Sequence, residues 1–92
     1  MNIVHVPGKN KGKVMLYALS TCGWCKKTRA LLEELGVEYD YCYVDLEKGE
    51  DQEKILEEMS KHNPDGNFPT VVINSDKAII GFMEDDIKKA LK

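Results

Sequence analysis

Ninety-two residues fill one domain, since folded domains run to roughly 50–200 residues and a second core would not fit. The net charge is −3 and 42% of residues are hydrophobic, too apolar for a disordered chain and too acidic for a nucleic-acid surface. No apolar run reaches the ~18 residues of a membrane-spanning helix, and MNIVHVPGKNKGK lacks the apolar stretch of a signal peptide, so a cytoplasmic chain without membrane contacts is expected.

Residues 2–6 (NIVHV) alternate weakly and precede a Gly- and Pro-rich turn, PGKNKG. Residues 13–19 (KVMLYAL) read as a strand buried on both faces, with which the first segment could pair as a hairpin. From about Cys22 the period becomes helical, through Thr28, Leu31, Leu32 and Leu35, and Gly36 sits where a helix ends in a left-handed cap. Residues 37–45 alternate again, with Val37, Tyr39, Tyr41 and Tyr43 on one side and Glu38, Asp40 and Cys42 on the other. A second helix fits 50–62, with Gln52, Ile55, Leu56 and Met59 inward, and Asn63-Pro64-Asp65-Gly66-Asn67 stops it. Phe68 to Ile73 is a strand, 74–77 a turn, and Ala78 to Phe82 the returning strand. A last helix from about 84 buries Ile87, Ala90 and Leu91. The order β-α-β-α-β-β-α predicts a right-handed parallel crossover followed by an antiparallel hairpin. The fold class is therefore α/β: a mixed four-stranded sheet flanked by helices, of thioredoxin type, with room for an extra N-terminal strand.

Three cysteines are too few for the even disulfide set of a small secreted domain. Cys22 and Cys25 form a CxxC, Thr21-Cys22-Gly23-Trp24-Cys25, at the junction of the first main strand and its helix. Such a pair beside a βαβ pattern reads as a redox dithiol. The unpaired N–H groups of a helix N-terminus favour a nearby anion, so the Cys22 thiol is expected to ionise below the free value of ~8.5. Lys26, Lys27 and Arg29 add positive charge at the end of a helix where acids are preferred, and a broken local rule beside a reactive group points to function. The competing reading is structural zinc, but a closed site takes four ligands. Cys42, His5 and His62 are scattered and form no second pair. Cys42 reads as incidental, the two His as surface residues and the three tyrosines as packing. Trp24, next to the paired thiols, is placed to exclude water and to pack against a docking partner.

Charge is uneven: residues 1–30 hold six bases and no acid, whereas 31–92 carry a net −9. The basic end either is a solvated face or steers acidic partners to the cysteines, with Lys26 foremost. Phe68-Pro69-Thr70 opens a strand, the position where a proline lacking its N–H is tolerated. Its peptide bond there is either an ordinary trans one or a cis one kept for a purpose.

A strand ending in CxxC, then a helix, then a Pro-Thr strand resembles the thioredoxin superfamily. The CGWC aromatic and Gly81-Phe82 before the last helix resemble its glutaredoxin branch, over residues 13–92. The resemblance implies a dithiol–disulfide oxidoreductase in which Cys22 attacks, Cys25 resolves and Pro69 is cis. The backbone of Phe68 would pair with a bound peptide or glutathione, beside Trp24, Thr70, Gly81 and Phe82. No cofactor is required. The implied partners are disulfide-containing proteins and a reductant, either glutathione or a protein disulfide reductase, and a monomer suffices. The departures bear on the reductant. Leu19 stands where glutaredoxins commonly carry a glutathione-gripping Lys, and Leu16 where thioredoxins carry a buried acid. Gly23-Trp24 replaces the usual Pro within the motif. After Gly81 the second glycine of the common glutathione-binding pair is missing, although Glu84 and Asp85 could still meet a glutathione amine. Two alternatives stay open: a thioredoxin-like carrier served by a protein reductase, and an iron–sulfur cluster carrier.

Overall fold

The structure, a computed structural model, describes residues 2–91. Its elements in chain order are β1 (Val4–Val6), β2 (Val14–Ala18), α1 (Gly23–Leu35), β3 (Tyr39–Tyr43), a 3-10 turn over Val44–Leu46, α2 (Gly49–Ser60), β4 (Thr70–Ile73), β5 (Lys77–Ile80) and α3 (Glu84–Leu91). The five strands form one mixed sheet in the order β1-β3-β2-β4-β5. β2 and β3 are parallel across α1, whereas β4 runs antiparallel to both β2 and β5.

The alternation along each strand divides the core in two. Val14, Leu16 and Ala18 of β2, Val71 and Ile73 of β4, and Tyr39 of β3 face α1 and α3, where Leu31, Leu32, Ile87 and Leu91 complete a buried cluster. Their neighbours Tyr17, Val72 and Cys42 point the other way and pack with Val44, Ile55 and Met59 beneath α2. Gly36 ends α1 in the left-handed region (φ 68°), its N–H donating to the carbonyl of Glu33. α3 places Glu84, Asp85 and Asp86 in its first turn and Lys88 and Lys89 in its last, which suits the helix dipole.

Three expectations are corrected. The N-terminal segment does not form a hairpin with β2. It lies antiparallel to β3, Val4 opposite Tyr41, because both flanks of β2 are taken by β3 and β4. Pro7–Lys13 is thus a long connection, along which Gly8 passes so close to the backbone of Gly36 and Val37 that a Cβ would lie 2.7 Å from their atoms. Cys42 is accordingly not on a polar face with Glu38 and Asp40: β1 covers the outer edge of β3, α2 covers the face, and the thiol is fully buried beside the Glu47 carboxylate. Leu56 of α2 faces outward at 39% exposure, whereas Gln52 uses its side-chain amide to donate to the Val44 carbonyl at 3.2 Å.

Burial also sets how the fold responds to alkali. It pushes Tyr17 up to about 12, with Glu58 adding to it, and Cys42 up to about 11, with Glu47 adding to it. Between its ordinary value of 9.0 and about 11, the Cys42 thiol keeps its proton when folded and loses it when unfolded. The unfolded state then binds fewer protons, so stability falls as pH rises through that window, by up to about 1.4 kcal/mol per pH unit per group. Urea unfolding at pH 8, 9, 10 and 11 is expected to show this decline, with a shallower slope for Cys42→Ala even if its stability at pH 8 is lower.

Candidate functional site

β2 ends at Ala18, and within five residues the chain has turned into α1. The first N–H groups of that helix have no partner inside it. Cys22 is the N-cap residue and meets one of them: the Cys25 N–H donates to Cys22 Sγ at 3.2 Å. The Cys22 sulfur therefore sits at the positive end of the helix dipole and is partly exposed, whereas Cys25, on the inner face of the first turn, is fully buried. Burial, with a hydrogen bond to the Cys22 side chain, pushes the Cys25 thiol up to about 12, although the Leu19 N–H points at its sulfur from 3.5 Å. Both thiols are free. One sulfur is thus available to solvent and the other is held protonated behind it.

The flanking residues come from three places. The Phe68–Pro69 bond is cis, and Pro69 is buried one residue before β4 begins. Its carbonyl accepts from Gly81 N–H at 2.8 Å, which ties this turn to the end of β5. Trp24, Phe68, Pro69, Gly81 and Phe82 line a shallow groove of about 260 Å³. Its walls are Trp24, 57% exposed, and Phe82, stacked on it with ring centroids 5.8 Å apart. Five residues singled out in the sequence are thus brought together, Trp24 among them only two residues after Cys22 in the chain. Two others are not. Thr70 has a buried side chain that donates to the Asn67 carbonyl (2.7 Å) and accepts from Asn63 Nδ2 (2.9 Å), so it supports the turn without facing the groove. Lys26 is exposed one turn after Cys22 and does not line the groove; Lys27 lies over the Trp24 ring, 4.6 Å from its centroid.

The basic N-terminal third is not one patch. Lys9 is bonded to Gly36 and Glu38 at the far end of α1, and Lys13 lies against Asn74 in the β4–β5 turn. A 13-residue helix is about 20 Å long, so these bases are remote from Cys22. Arg29 is engaged as well: its guanidinium donates to Tyr43 (2.9 Å) and Tyr39 (3.4 Å), lies over Tyr41 and pairs with Glu33. Of this basic third, Lys27 stands over the groove wall at Trp24, and Lys26 is exposed one turn after Cys22. Across the aromatic pair, Glu84, Asp85 and Asp86 begin α3. The groove thus runs between a basic and an acidic rim.

Sequence reasoning missed Asn63 and Asp45. Asn63 is buried at the end of α2, and its Nδ2 also donates to the Asn67 carbonyl at 3.0 Å, holding the turn that leads to Pro69. Asp45 accepts from both the N–H (2.8 Å) and the hydroxyl (2.5 Å) of Ser20, just before the CxxC. Parallel pairing was the available signal for Asp45: Ala18 lies opposite Tyr43, which brings Ser20 opposite Asp45. Asn63 gave no such signal within a turn-forming run. Among the described residues, no three His, Cys, Asp or Glu side chains converge in a way that could hold a metal ion, and no helix is long and apolar enough to cross a membrane.

This geometry has relatives. Residues 14–77, more than half of the chain, match the Glutaredoxin family, and the chain belongs to it. A glutaredoxin from Methanosarcina mazei Go1 is similar at 50% identity with a TM-score of 0.90, over 97% of this chain and 86% of that one. Methanoredoxin from Methanosarcina acetivorans is similar at 46% identity with a TM-score of 0.89, over 91% and 88% of the two chains. An uncharacterized glutaredoxin-like 8.6 kDa protein in the rubredoxin operon of Clostridium pasteurianum is 29% identical over 79 residues, 86% of this chain and 97% of that one. The chain is thus a glutaredoxin-like protein of thioredoxin fold, in a family that points to thiol redox chemistry.

The difference in burial gives a direct test. Iodoacetamide at pH 8 is expected to modify Cys22 first in the reduced, native protein, with Cys25 and Cys42 following only in urea. Peptide mass spectrometry reads the order, and modification of Cys25 at the rate of Cys22 would contradict it.

Proposed function

We propose that this protein is a dithiol–disulfide oxidoreductase that reduces disulfides of proteins or small thiols through Cys22 and Cys25. The observation that carries this reading is the unequal pair: a partly exposed sulfur capping α1 and a buried, protonated thiol one turn behind it. Cys22 as thiolate attacks a substrate disulfide, forming a Cys22–substrate mixed disulfide and releasing the first substrate thiolate. Cys25 then displaces the second, leaving a Cys22–Cys25 disulfide that an external reductant must reduce. No cofactor is needed for either exchange. The groove of Trp24, Phe68, Pro69, Gly81 and Phe82 would take the substrate chain beside the reacting sulfur. Cys22→Ser is expected to abolish disulfide reduction, and Cys25→Ser to accumulate the mixed disulfide, seen as a mass adduct that dithiothreitol removes. Adducts on Cys25 in the Cys22→Ser protein, with activity retained, would reverse the assignment.

The reductant we favour is a protein disulfide reductase with an acidic docking face rather than glutathione. Leu19 offers no cation to a glutathione carboxylate, while Lys27 lies over Trp24 at the groove wall and exposed Lys26 follows Cys22 by one turn. Attraction between exposed charges is screened over ~8–10 Å at ordinary salt, so such docking slows as salt rises. Lys26→Gln with Lys27→Gln should lower the second-order rate severalfold at low salt, with a smaller effect on maximal turnover. Stopped-flow reduction at several ionic strengths checks this; a rate indifferent to salt and to both substitutions, or faster reduction by glutathione at equal thiol concentration, would favour the small reductant.

A further inference from the structure

The turn between β2 and α1 ends on Cys22, with Cys25 just inside the helix, yet it contains no regular structure to hold it. Its backbone is wired to each of them. The Cys22 N–H donates to the Leu19 carbonyl at 3.2 Å, and the Leu19 N–H points at Cys25 Sγ from 3.5 Å. The next residue, Ser20, is gripped twice by one carboxylate: Asp45 takes its N–H at 2.8 Å and its hydroxyl at 2.5 Å. Asp45 belongs to the 3-10 turn that follows β3. The clamp therefore fastens the cysteine turn to the strand beside it, continuing the β2–β3 register past the last paired residues, Ala18 and Tyr43. The Ser20 hydroxyl holds the Asp45 carboxyl below its ordinary range, so the clamp is an anion at neutral pH.

We propose that Asp45 is the positioning residue of the dithiol, fixing the Leu19–Cys22 turn through Ser20 and placing a negative charge on the side of the resolving thiol. This rests on the dithiol reading given above. The two parts of the role act on different steps. The hydrogen bonds keep Cys22 Sγ at the helix N-terminus, where it attacks. Burial, and then the hydrogen bond with Cys22, hold the proton on Cys25; the Asp45 carboxylate, bonded to the N–H next to the one that points at Cys25 Sγ, adds its charge to them. From the elements around Cys25, the titratable groups that bear on it are Cys22 at the cap of its own helix and Asp45 after β3; its other surroundings are the apolar cluster of β2, α1 and α3. Lys26 and Lys27 follow it in sequence with exposed side chains. In the resolving step the Cys25 S–H bond breaks, its sulfur bonds to Cys22 Sγ, the bond from Cys22 to the substrate sulfur breaks, and the departing thiolate takes up a proton. Two thiols become one disulfide as one substrate disulfide becomes two thiols, with no further oxidant. A carboxylate that resists ionisation of Cys25 slows this step once the mixed disulfide has formed, and more so at lower pH.

Asp45→Asn separates the two parts, because its amide accepts from the Ser20 N–H and donates to the Ser20 hydroxyl while carrying no charge. Acid-quenched mass spectrometry with a peptide disulfide follows formation and decay of the Cys22 mixed disulfide from pH 5 to 9. Asp45→Asn is expected to leave formation within about twofold of wild type, and to move the decay profile to lower pH, about threefold faster at pH 7. Asp45→Ala loses the clamp and should slow formation about fivefold, with Ser20→Ala, which keeps the charge, in between. Circular dichroism and urea midpoints establish that each variant is folded. The proposal is overturned if Asp45→Asn leaves the decay profile unmoved, or if Asp45→Ala forms the mixed disulfide as fast as wild type. Wild-type protein that forms no Cys22–Cys25 disulfide at all would instead remove the dithiol reading, and this inference with it.

Discussion

The first N–H groups of a helix must find an acceptor, and here one acceptor is a sulfur. Because β2 and β3 are parallel, the chain must cross over between them, and α1 begins where β2 ends. With Cys22 as its N-cap, the group that satisfies Cys25 N–H is also the one left open to solvent. A hydroxyl or carboxylate in that place would cap at least as well. The cap fixes the partly exposed sulfur at the start of the helix, places Cys25 one turn behind it on the inner face, and leaves Trp24 between them turned outward. Lys26 and Lys27 in the same turn stand at the helix end where acids would stabilise it.

Much of this was legible in the sequence, for identifiable reasons. The apolar runs of β2 and β4 stand out because each strand is covered on both faces, and the helical stripe of α1 runs cleanly from Cys25 to Leu32 before Gly36 stops it. The CxxC, the Phe-Pro-Thr run and the Gly-Phe pair are local signals, and the sheet gathers most of them at one end. What stayed hidden depends on which strands become neighbours. β1 looked like the partner of β2 because it is adjacent in sequence, yet β2 has no free edge. Burial of Cys42 follows from that one pairing and from α2. Summing six bases over thirty residues suggested a single patch, but a strand and a helix carry those bases to opposite ends of the molecule. Tyr39, Tyr41 and Tyr43 were read as packing, and the Arg29 guanidinium that they enclose could not be seen from their spacing.

The site is built by polar residues that do not reach the groove. Asn63, with Thr70, holds the turn before β4 from beneath, and Asp45 holds the turn before α1 from the side. Each is buried or doubly bonded, and each replaces regular secondary structure in a segment that has none. Buried polar clusters of this sort favour a single backbone arrangement, because any other leaves donors unpaired. Rigidity at the groove is therefore set from below, whereas the groove surface itself is aromatic and exposed.

The only indole of the chain forms one wall of that groove, two residues from the exposed sulfur, against Phe82 and beneath an ammonium group. No other tryptophan contributes to its emission. Sulfur in its thiol, thiolate and disulfide forms quenches indole fluorescence to different degrees, and a chain seated in the groove would shield the ring from water. The protein thus carries a native optical reporter two residues from Cys22 and on the wall of the groove. Its oxidation state and its occupancy can be followed in real time with no label attached and no residue changed.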